Sequence, residues 1–255
     1  MNQQSPSGRS PLLRDKRVWV TGGSRGLGRS LCEQLSAEGA DVAFNYSSDE
    51  KDAAQTLAAI TANGARGMAF KVSVLDEPGL TRMIGDIERQ WEGVDVLINN
   101  AGVSQPLPLP LMEEGDWDHV MDINAKGAFL AARAVLKGMI RRRRGCILNI
   151  GSLAGLRLIE APVHYSASKA AIKGFTQALA KEVARYQIRV NCLAPGLLEE
   201  GVGQSLPEHR LQEYLKHVAL GRIGTLEEVA RFAAFLVSDL NSYMNGETIL
   251  MDGGL

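Results

Sequence analysis

The sequence predicts one α/β domain built on a parallel, doubly wound sheet with helices on both faces. Short apolar runs alternate with longer helix-period segments along almost the whole chain of 255 residues. These runs are apolar throughout, as expected for strands covered on both faces. No linker, composition break or repeat divides the chain. We therefore expect residues 1–15, which are polar and contain Pro6 and Gly8, to form a flexible tail before a single domain at 16–255.

Each predicted strand is a β-branched or aliphatic run, and each predicted helix carries apolar residues at helical spacing. The seven strands are predicted at 17–21, 41–46, 66–72, 94–98, 146–150, 188–193 and 247–251. The helices are predicted at 27–38, 49–63, 77–91, 116–143, 163–186, 207–218 and 226–238.

Composition argues against several classes of function. The formal net charge is −1, so the whole molecule carries no field that attracts nucleic acid or an anionic membrane. No apolar run approaches the roughly 18 residues of a membrane span. The three cysteines (Cys32, Cys146 and Cys192) are far apart and lack metal-site spacing, which predicts buried free thiols in a reducing compartment. A soluble cytoplasmic protein is expected.

A glycine-rich turn follows the first strand. Thr21 is followed by Gly22-Gly23-Ser24-Arg25-Gly26-Leu27-Gly28, and a helix begins there. Strand, glycine turn and helix together direct backbone N–H groups and a helix N-terminus at a phosphate. A tight turn without a ligand would explain any one of these glycines, but it explains four of them in seven residues less well.

Tyr165 and Lys169 lie four residues apart on one face of the helix predicted at 163–186. The ammonium of a lysine one turn away stabilises the phenolate and makes the phenol a better proton donor. Ser152 follows the strand at 146–150, where its hydroxyl can bond a carbonyl oxygen. Taken alone, this tyrosine–lysine spacing is common on ordinary surface helices.

Six motifs in order resemble the short-chain dehydrogenase/reductase family over residues 16–254. They are T-G-G-S-R-G-L-G (21–28), N-N-A-G (99–102), the Asn of D-I-N-A (122–125), the Ser of I-G-S (150–152), Y-S-A-S-K (165–169) and A-P-G (194–196). The resemblance implies a Rossmann-type fold, a nicotinamide cofactor and a catalytic tetrad of Asn124, Ser152, Tyr165 and Lys169. It assigns to Asn124 a water that connects Lys169 to solvent and supplies protons. The plainer interpretation, an asparagine that kinks or caps a helix, is compatible with that role.

The resemblance also implies a set of cofactor contacts. They are Gly22, Ser24, Arg25, Gly26, Leu27, Gly28, Asn45, Tyr46, Ser47, Asn100, Ala101, Gly102, Tyr165, Lys169, Pro195 and Gly196. The end of the second strand reads Asn45-Tyr46-Ser47-Ser48, with no carboxylate to repel a 2′-phosphate, and the resemblance places Arg25 where it can bind one. NADP(H) is therefore expected, with a solvated loop cation as the alternative for Arg25.

Within the family, the stretches 24–29, 45–48, 178–184 and 221–224 most resemble 3-oxoacyl-[acyl-carrier-protein] reductases. This predicts NADPH-dependent reduction of a 3-oxoacyl thioester on acyl carrier protein in fatty-acid or polyketide-type synthesis. The alternatives are a reductase of a free ketone, sugar or alcohol, and a nucleotide-binding scaffold without turnover. Residues 106–110, 156–161 and 197–206 are expected to line the substrate site.

Two further expectations concern partners. Arg141–Arg144, with Arg185 and Arg189, could form a basic patch beside the active-site mouth that steers an acidic carrier protein. A solvated helix C-terminus explains the arginine run equally well. The resemblance implies a homo-oligomer, a tetramer rather than a dimer, packed through the long helices at 116–143 and 163–186.

Two positions depart from the family pattern. Lys71 stands where relatives usually have an Asp or Asn at the adenine edge, and Glu200 stands where many have a Thr that bonds the nicotinamide carboxamide. Both substitutions are expected to change how the cofactor is held.

Overall fold

The computed structural model describes residues 10–201 and 207–255 and has one seven-stranded parallel sheet at its centre, in the order β3-β2-β1-β4-β5-β6-β7. The strands are β1 (Arg17–Thr21), β2 (Asp41–Tyr46), β3 (Gly67–Lys71), β4 (Val96–Asn99), β5 (Gly145–Ile150), β6 (Ile188–Pro195) and β7 (Thr248–Met251). The predicted fold class is confirmed. The order turns back at β1 and β4, and the carboxyl ends of these two strands flank the crevice in which ligands bind in such sheets.

The helices cover both faces of the sheet. They are α1 (Gly26–Ala37), α2 (Glu50–Ala62), α3 (Glu77–Trp91), α4 (Glu114–Met121), α5 (Gly127–Arg142), α6 (Val163–Val183), α7 (Glu208–Leu215) and α8 (Leu226–Val237). Helices α1, α2 and α8 pack on one face with buried residues such as Phe44 and Leu148. Helices α3, α5 and α6 pack on the other face with Trp19 and Ile147. Because adjacent strand residues point to opposite faces, each strand contributes to both cores.

The single helix predicted at 116–143 is interrupted. A five-residue π-helical turn, Asp122–Lys126, separates α4 from α5. Asn124 lies in this turn and is buried, with its side chain bonded to the loop after β4. A single turn of π-helix within an α-helix is often found at a functional site. The spacing of apolar residues predicted a continuous helix, because the π-helical turn adds only one residue and barely changes that spacing.

The chain packs against the fold earlier than the predicted boundary at residue 15. Leu13 is fully buried, and its backbone N–H donates to the Glu38 carbonyl at 2.9 Å. The part of the predicted tail at residues 1–9 lies outside the described residues. Among the described residues, the chain therefore packs on the domain at Leu13, before the predicted boundary.

A buried ion network holds the amino-terminal edge of the sheet together. Asp95 is 4% exposed, and its carboxylate accepts bonds from Arg17 (Nε at 2.7 Å, Nη2 at 2.9 Å) and from Arg144 (2.9 Å). Burial by itself raises the pKa of the Asp95 carboxyl, but the bonds from Arg17 and the charge of Arg144 outweigh it and hold the pKa below its ordinary value. This network joins the starts of β1, β4 and β5.

Within the described ranges, none of the helices combines the length and the apolar character that crossing a membrane requires.

We predict that Asp95→Asn lowers the free energy of unfolding by about 3 to 5 kcal/mol, because it leaves a largely buried guanidinium without its counter-charge. Urea denaturation at neutral pH measures this loss. Asp239→Asn, in the exposed pair with Lys16, is the control and should cost less than about 1 kcal/mol.

The loss of unfolding free energy in Asp95→Asn should also depend on pH. Because the folded-state pKa of Asp95 is depressed, its stabilisation is present above the ordinary aspartate pKa of about 3.9 and is lost as the pH falls through the folded-state value. The difference between Asp95→Asn and wild type should therefore shrink below about pH 4. A difference that persists undiminished into stronger acid would contradict the assignment.

Candidate functional site

The glycine turn between β1 and α1 has no room for side chains at three of its positions. Gly22 has φ +66°, and a Cβ added there would lie 3.0 Å from Ala101 Cα. A Cβ on Gly23 would meet Phe44 at 2.5 Å, and one on Gly28 would meet the Gly22 carbonyl oxygen at 2.0 Å. Glycine at these positions therefore lets the turn pack tightly against β2 and against the loop after β4.

Residues after β4 hold the glycine turn in place. Thr21 Oγ1 accepts the backbone N–H groups of Asn100 (3.0 Å) and Ala101 (2.9 Å). In return, Asn100 Nδ2 donates to the carbonyl oxygens of Thr21 (3.0 Å) and Gly22 (3.2 Å). The Asn100 side chain is thus occupied in shaping the turn.

The N-terminus of α1 fits an anionic group. No side chain caps it, and no acidic residue lies in its first turn, so first-turn N–H groups remain free for a ligand. Arg25, at the N-cap position, is exposed and makes no side-chain hydrogen bond or ion pair within the described ranges. Ser24 is buried, and its carbonyl oxygen accepts Arg29 and Thr56. The turn can therefore hold the diphosphate of a dinucleotide, with Arg25 available as a free cation.

Asn45 is a correction to the predicted cofactor contacts. Its side chain is 2% exposed, accepts Trp19 Nε1 at 3.0 Å and donates to the Val72 carbonyl oxygen at 2.9 Å. Only its backbone serves the site, through the bond from Gly23 N to its carbonyl oxygen. Tyr46 is half-buried and Ser47 is exposed at the carboxyl end of β2, where they can face a ligand.

Lys169 connects the helix that carries Tyr165 to the strand that precedes Ser152. It is 6% exposed, and its Nζ donates to the Ile150 carbonyl oxygen at 2.9 Å. The same Nζ lies 5.8 Å from the centre of the Tyr165 ring. A nearly buried ammonium thus lies beside the phenol at the carboxyl edge of the sheet.

Ser152 begins a short 3₁₀ turn, Leu153–Gly155, which packs on α6. A Cβ on Gly155 would lie 2.5 Å from Ala170 N and 3.0 Å from Lys169 Cβ, so only glycine allows this approach. Ser152 Oγ accepts Ala154 N at 3.2 Å, and both Ser152 and Tyr165 are partly exposed. The turn therefore presents the serine hydroxyl on the same side of the sheet as Tyr165.

Asn124 is held by three hydrogen bonds. Its Oδ1 accepts Val103 N at 2.8 Å, and its Nδ2 donates to the Val103 carbonyl oxygen (3.0 Å) and to Ser168 Oγ (2.9 Å). Gly102 lies against it, since a Cβ there would be 3.2 Å from Asn124 Oδ1 and 3.5 Å from Lys169 Nζ. The structure thus brings the predicted tetrad and the loop at 99–103 to one place.

Two residues that support the catalytic helix were not predicted from the sequence. Ser168 is buried, and its hydroxyl also donates to the Tyr165 carbonyl oxygen at 2.7 Å, so it links Asn124 to the catalytic helix. His164 is buried, its Nδ1 accepts Tyr165 N at 2.9 Å, and burial lowers the pKa of its ring. The available signal was a polar residue on the otherwise apolar buried face of α6.

The segment after β6 approaches the glycine turn. Pro195 is buried, and Gly196 N donates to the Met251 carbonyl oxygen at 2.9 Å. Farther on, Glu200 Oε2 lies 3.6 Å from the position of a Cβ on Gly26. A carboxylate therefore lies beside the N-terminus of α1, whereas the resemblance placed this position at the nicotinamide. The predicted substrate residues 202–206 lie outside the described residues.

The arginine run lies at the opposite edge of the sheet, which corrects the expectation of a patch beside the site within one chain. Arg141 and Arg142 end α5, and Arg143 Nη2 donates to the Arg185 carbonyl oxygen at 3.0 Å. Arg144 bonds Asp95 at the amino-terminal edge. The six residues of β5 separate this cluster from Ser152 by about 20 Å.

Comparison with known proteins agrees with this geometry. Residues 22–255 match a family model described as enoyl-(acyl carrier protein) reductase. A 3-oxoacyl-[acyl-carrier-protein] reductase of Chlamydia trachomatis is 39% identical over 96% of this chain and 99% of its own length. The protein of the same name from Aquifex aeolicus is 37% identical, over 95% of this chain and 98% of its own.

Solved structures agree as well. A Sinorhizobium meliloti protein named for the short-chain alcohol dehydrogenases matches with a TM-score of 0.90 and 34% identity, over 96% of this chain and 98% of its own. A mutant of a Serratia marcescens short-chain dehydrogenase/reductase matches with a TM-score of 0.88 and 29% identity, over 95% and 98%. The chain belongs to the short-chain dehydrogenase/reductase family.

Proposed function

We propose that this protein reduces a 3-oxoacyl thioester on acyl carrier protein to the 3-hydroxyacyl form, with NADPH as cofactor. The observation that carries the proposal is the nearly buried Lys169 ammonium, fixed on the end of β5 beside Tyr165 and close to Ser152. This acid group lies at the same sheet edge as a glycine turn suited to a dinucleotide. The 3-oxoacyl reductases at 36–39% identity supply the substrate class.

Each member of the site has a distinct role in this reaction. NADPH, when bound, supplies the hydride for the ketone carbon. Tyr165 gives its hydroxyl proton to the ketone oxygen, and Ser152 donates a hydrogen bond to the same oxygen. Lys169 stabilises the phenolate that remains, and its second role is to bind the cofactor ribose.

Asn124 keeps its proposed role in proton supply with one restriction. Both Nδ2 protons are already donated, to Val103 and Ser168. A water bound by Asn124 must therefore donate to one of its oxygens, the side-chain Oδ1 or the main-chain carbonyl. The position that a Cβ on Gly102 would take is 3.2 Å from Oδ1 and 3.5 Å from Lys169 Nζ, so a water near that point can also accept a hydrogen bond from the ammonium.

NADPH rather than NADH is supported by the charges at the site. Arg25 is free within the described ranges, and Tyr46-Ser47-Ser48 brings no carboxylate to the end of β2. The exposed Arg25 therefore remains available for a 2′-phosphate.

A homo-oligomer would bring the arginine cluster to the active site. Helix α5 runs from the π turn at Asn124 to Arg142, a length of about 24 Å. If two copies pack their α5 and α6 helices around a two-fold axis perpendicular to those helices, the equivalent helices are antiparallel, and the arginine end of one copy lies near Asn124 of the other. The outward faces carry exposed Phe129, Ala170 and Gly174. We propose this contact within a tetramer, a dimer being the smaller assembly that keeps it.

The domain organisation of the chain and its location in the cytoplasm are also part of this proposal. We propose one catalytic domain from about residue 11 onward, since the described chain after that point packs on a single sheet. Cys32, Cys146 and Cys192 are free and buried, which is compatible with the cytoplasm.

We predict that Tyr165→Phe lowers turnover of an acetoacetyl thioester by at least about 100-fold, because the proton donor is lost. NADPH absorbance measures the rate. The affinity for NADPH, measured by calorimetry, should stay within about twofold, because the ring and Lys169 remain. Unchanged turnover would contradict the role of Tyr165 as proton donor. A wild-type protein that binds NADPH without turning over any of these substrates would favour a scaffold, and activity on free ketones or sugars alone would favour the small-molecule reductase.

We predict that neutralising Arg141 and Arg185 together (Arg141→Gln with Arg185→Gln) lowers kcat/KM for the carrier-bound substrate about threefold to tenfold at low salt. The difference should vanish at high ionic strength. The rate on the same acyl group carried by a small thiol should not change, and Arg231→Gln on α8 is the matched control. Equal losses on both substrates would show that the arginines do not act on the carrier.

We predict that Glu200→Gln tightens NADPH binding about twofold to tenfold, because it removes a negative charge beside the site for the diphosphate. Calorimetric titration measures the change. Glu227→Gln removes a charge from the same cavity but at α8, and should have a smaller effect. Weaker binding in Glu200→Gln would mean that the carboxylate accepts a bond from the cofactor instead.

A further inference from the structure

The carboxyl end of β3 lies directly beside the carboxyl end of β2. Lys71 is the partner of Tyr46 in the parallel register, so their side chains project from the same face of the sheet, about 5 Å apart at the backbone. In sheets of this type the 2′-position of the adenosine ribose lies at the end of the second strand. The side chain of Lys71 is long, 54% exposed, and one strand away from that position.

Three carboxylates lie at the start of α2, next to this corner, and each has a partner. Asp49 accepts Asp52 N at 2.9 Å as the helix cap, and the Asp52 side chain bonds Arg29 at 2.8 Å. Glu50 bonds Lys71 Nζ at 2.7 Å. Lys71 therefore neutralises the one carboxylate at this corner that neither a helix cap nor Arg29 engages.

The pair between Lys71 and Glu50 can exchange partners. Both side chains are more than half exposed, and exposed ion pairs of this kind contribute little to stability. The bond to Glu50 raises the pKa of Lys71, so the ammonium is charged at neutral pH. A phosphate dianion offers more charge and more acceptor oxygens than one carboxylate.

We propose that Lys71 is a cofactor-specificity residue. In the free protein its ammonium pairs with Glu50, and when NADPH binds the ammonium moves to the 2′-phosphate. The inference rests on the proposed NADPH dependence and deepens it. Arg25 approaches that phosphate from the glycine turn, and Lys71 approaches from β3. The lysine that departs from the family pattern thus contributes to the preference for the phosphorylated cofactor.

The test measures dissociation constants for NADP⁺ and NAD⁺ by calorimetry, without turnover, in the full chain. Lys71→Met should weaken NADP⁺ binding about fivefold to tenfold and leave NAD⁺ binding within about twofold. Glu50→Gln, which frees Lys71, should tighten NADP⁺ binding about twofold to threefold. Lys181→Met, which removes an exposed cation on α6, should change neither.

The double variant separates direct contact from neutralisation of Glu50. If Lys71 binds the phosphate, Lys71→Met still weakens NADP⁺ binding in the Glu50→Gln background, where there is no Glu50 charge left to neutralise. If Lys71 has no effect once Glu50 is neutral, the lysine only screens Glu50 and the inference is overturned. A wild-type protein that binds NAD⁺ as tightly as NADP⁺ would instead overturn the proposed cofactor itself.

Discussion

All seven strands point in one direction, and the rest of the molecule depends on this constraint. Parallel strands bring every carboxyl end to one edge, where the connections that follow the paired strands β1 and β4 run to opposite faces of the sheet and leave a crevice. The glycine turn, the loop at 99–103, Ser152 and the segment after β6 all follow such ends. The amino ends meet at the other edge, where the buried Asp95 network joins β1, β4 and β5. The candidate site residues therefore lie at one edge of the sheet, and the buried ion network lies at the other.

Backbone-directed hydrogen bonds connect the cofactor half of the crevice to the catalytic half. Asn100 secures the glycine turn, and three residues later Val103 exchanges two bonds with Asn124. Asn124 in turn reaches Ser168 on the catalytic helix. Buried polar groups are costly when unpaired, so this chain of contacts fixes its members in one arrangement. The loop after β4 thus positions both halves of the crevice, although none of its side chains supplies the catalytic proton.

Charge is distributed unevenly around the crevice. The N-terminus of α1 and Arg25 favour an anion, yet Glu200 lies beside Gly26 and Glu50 lies near the end of β2. Lys71 offsets Glu50, whereas Glu200 faces no such cation among the described contacts. An anion at this crevice would therefore meet both attractive and repulsive charges, and Lys71 and Glu200, which depart from the family pattern, are among them.

The sequence by itself determined the elements whose signals are local. Helix α3 occupies the predicted residues 77–91, and the motifs that carry Tyr165, Lys169 and Ser152 lie where parallel strands were expected to end. Tertiary structure decided what depends on distant partners: the π turn at Asn124, the burial of Leu13 and the inward direction of Asn45. It also placed the arginines at the far edge, because α5 runs antiparallel to the strands and carries its C-terminus away from the crevice. The periodicity of a segment indicates which face of a helix or strand is apolar. It does not indicate which residue a given side chain contacts, because that residue is distant in the sequence.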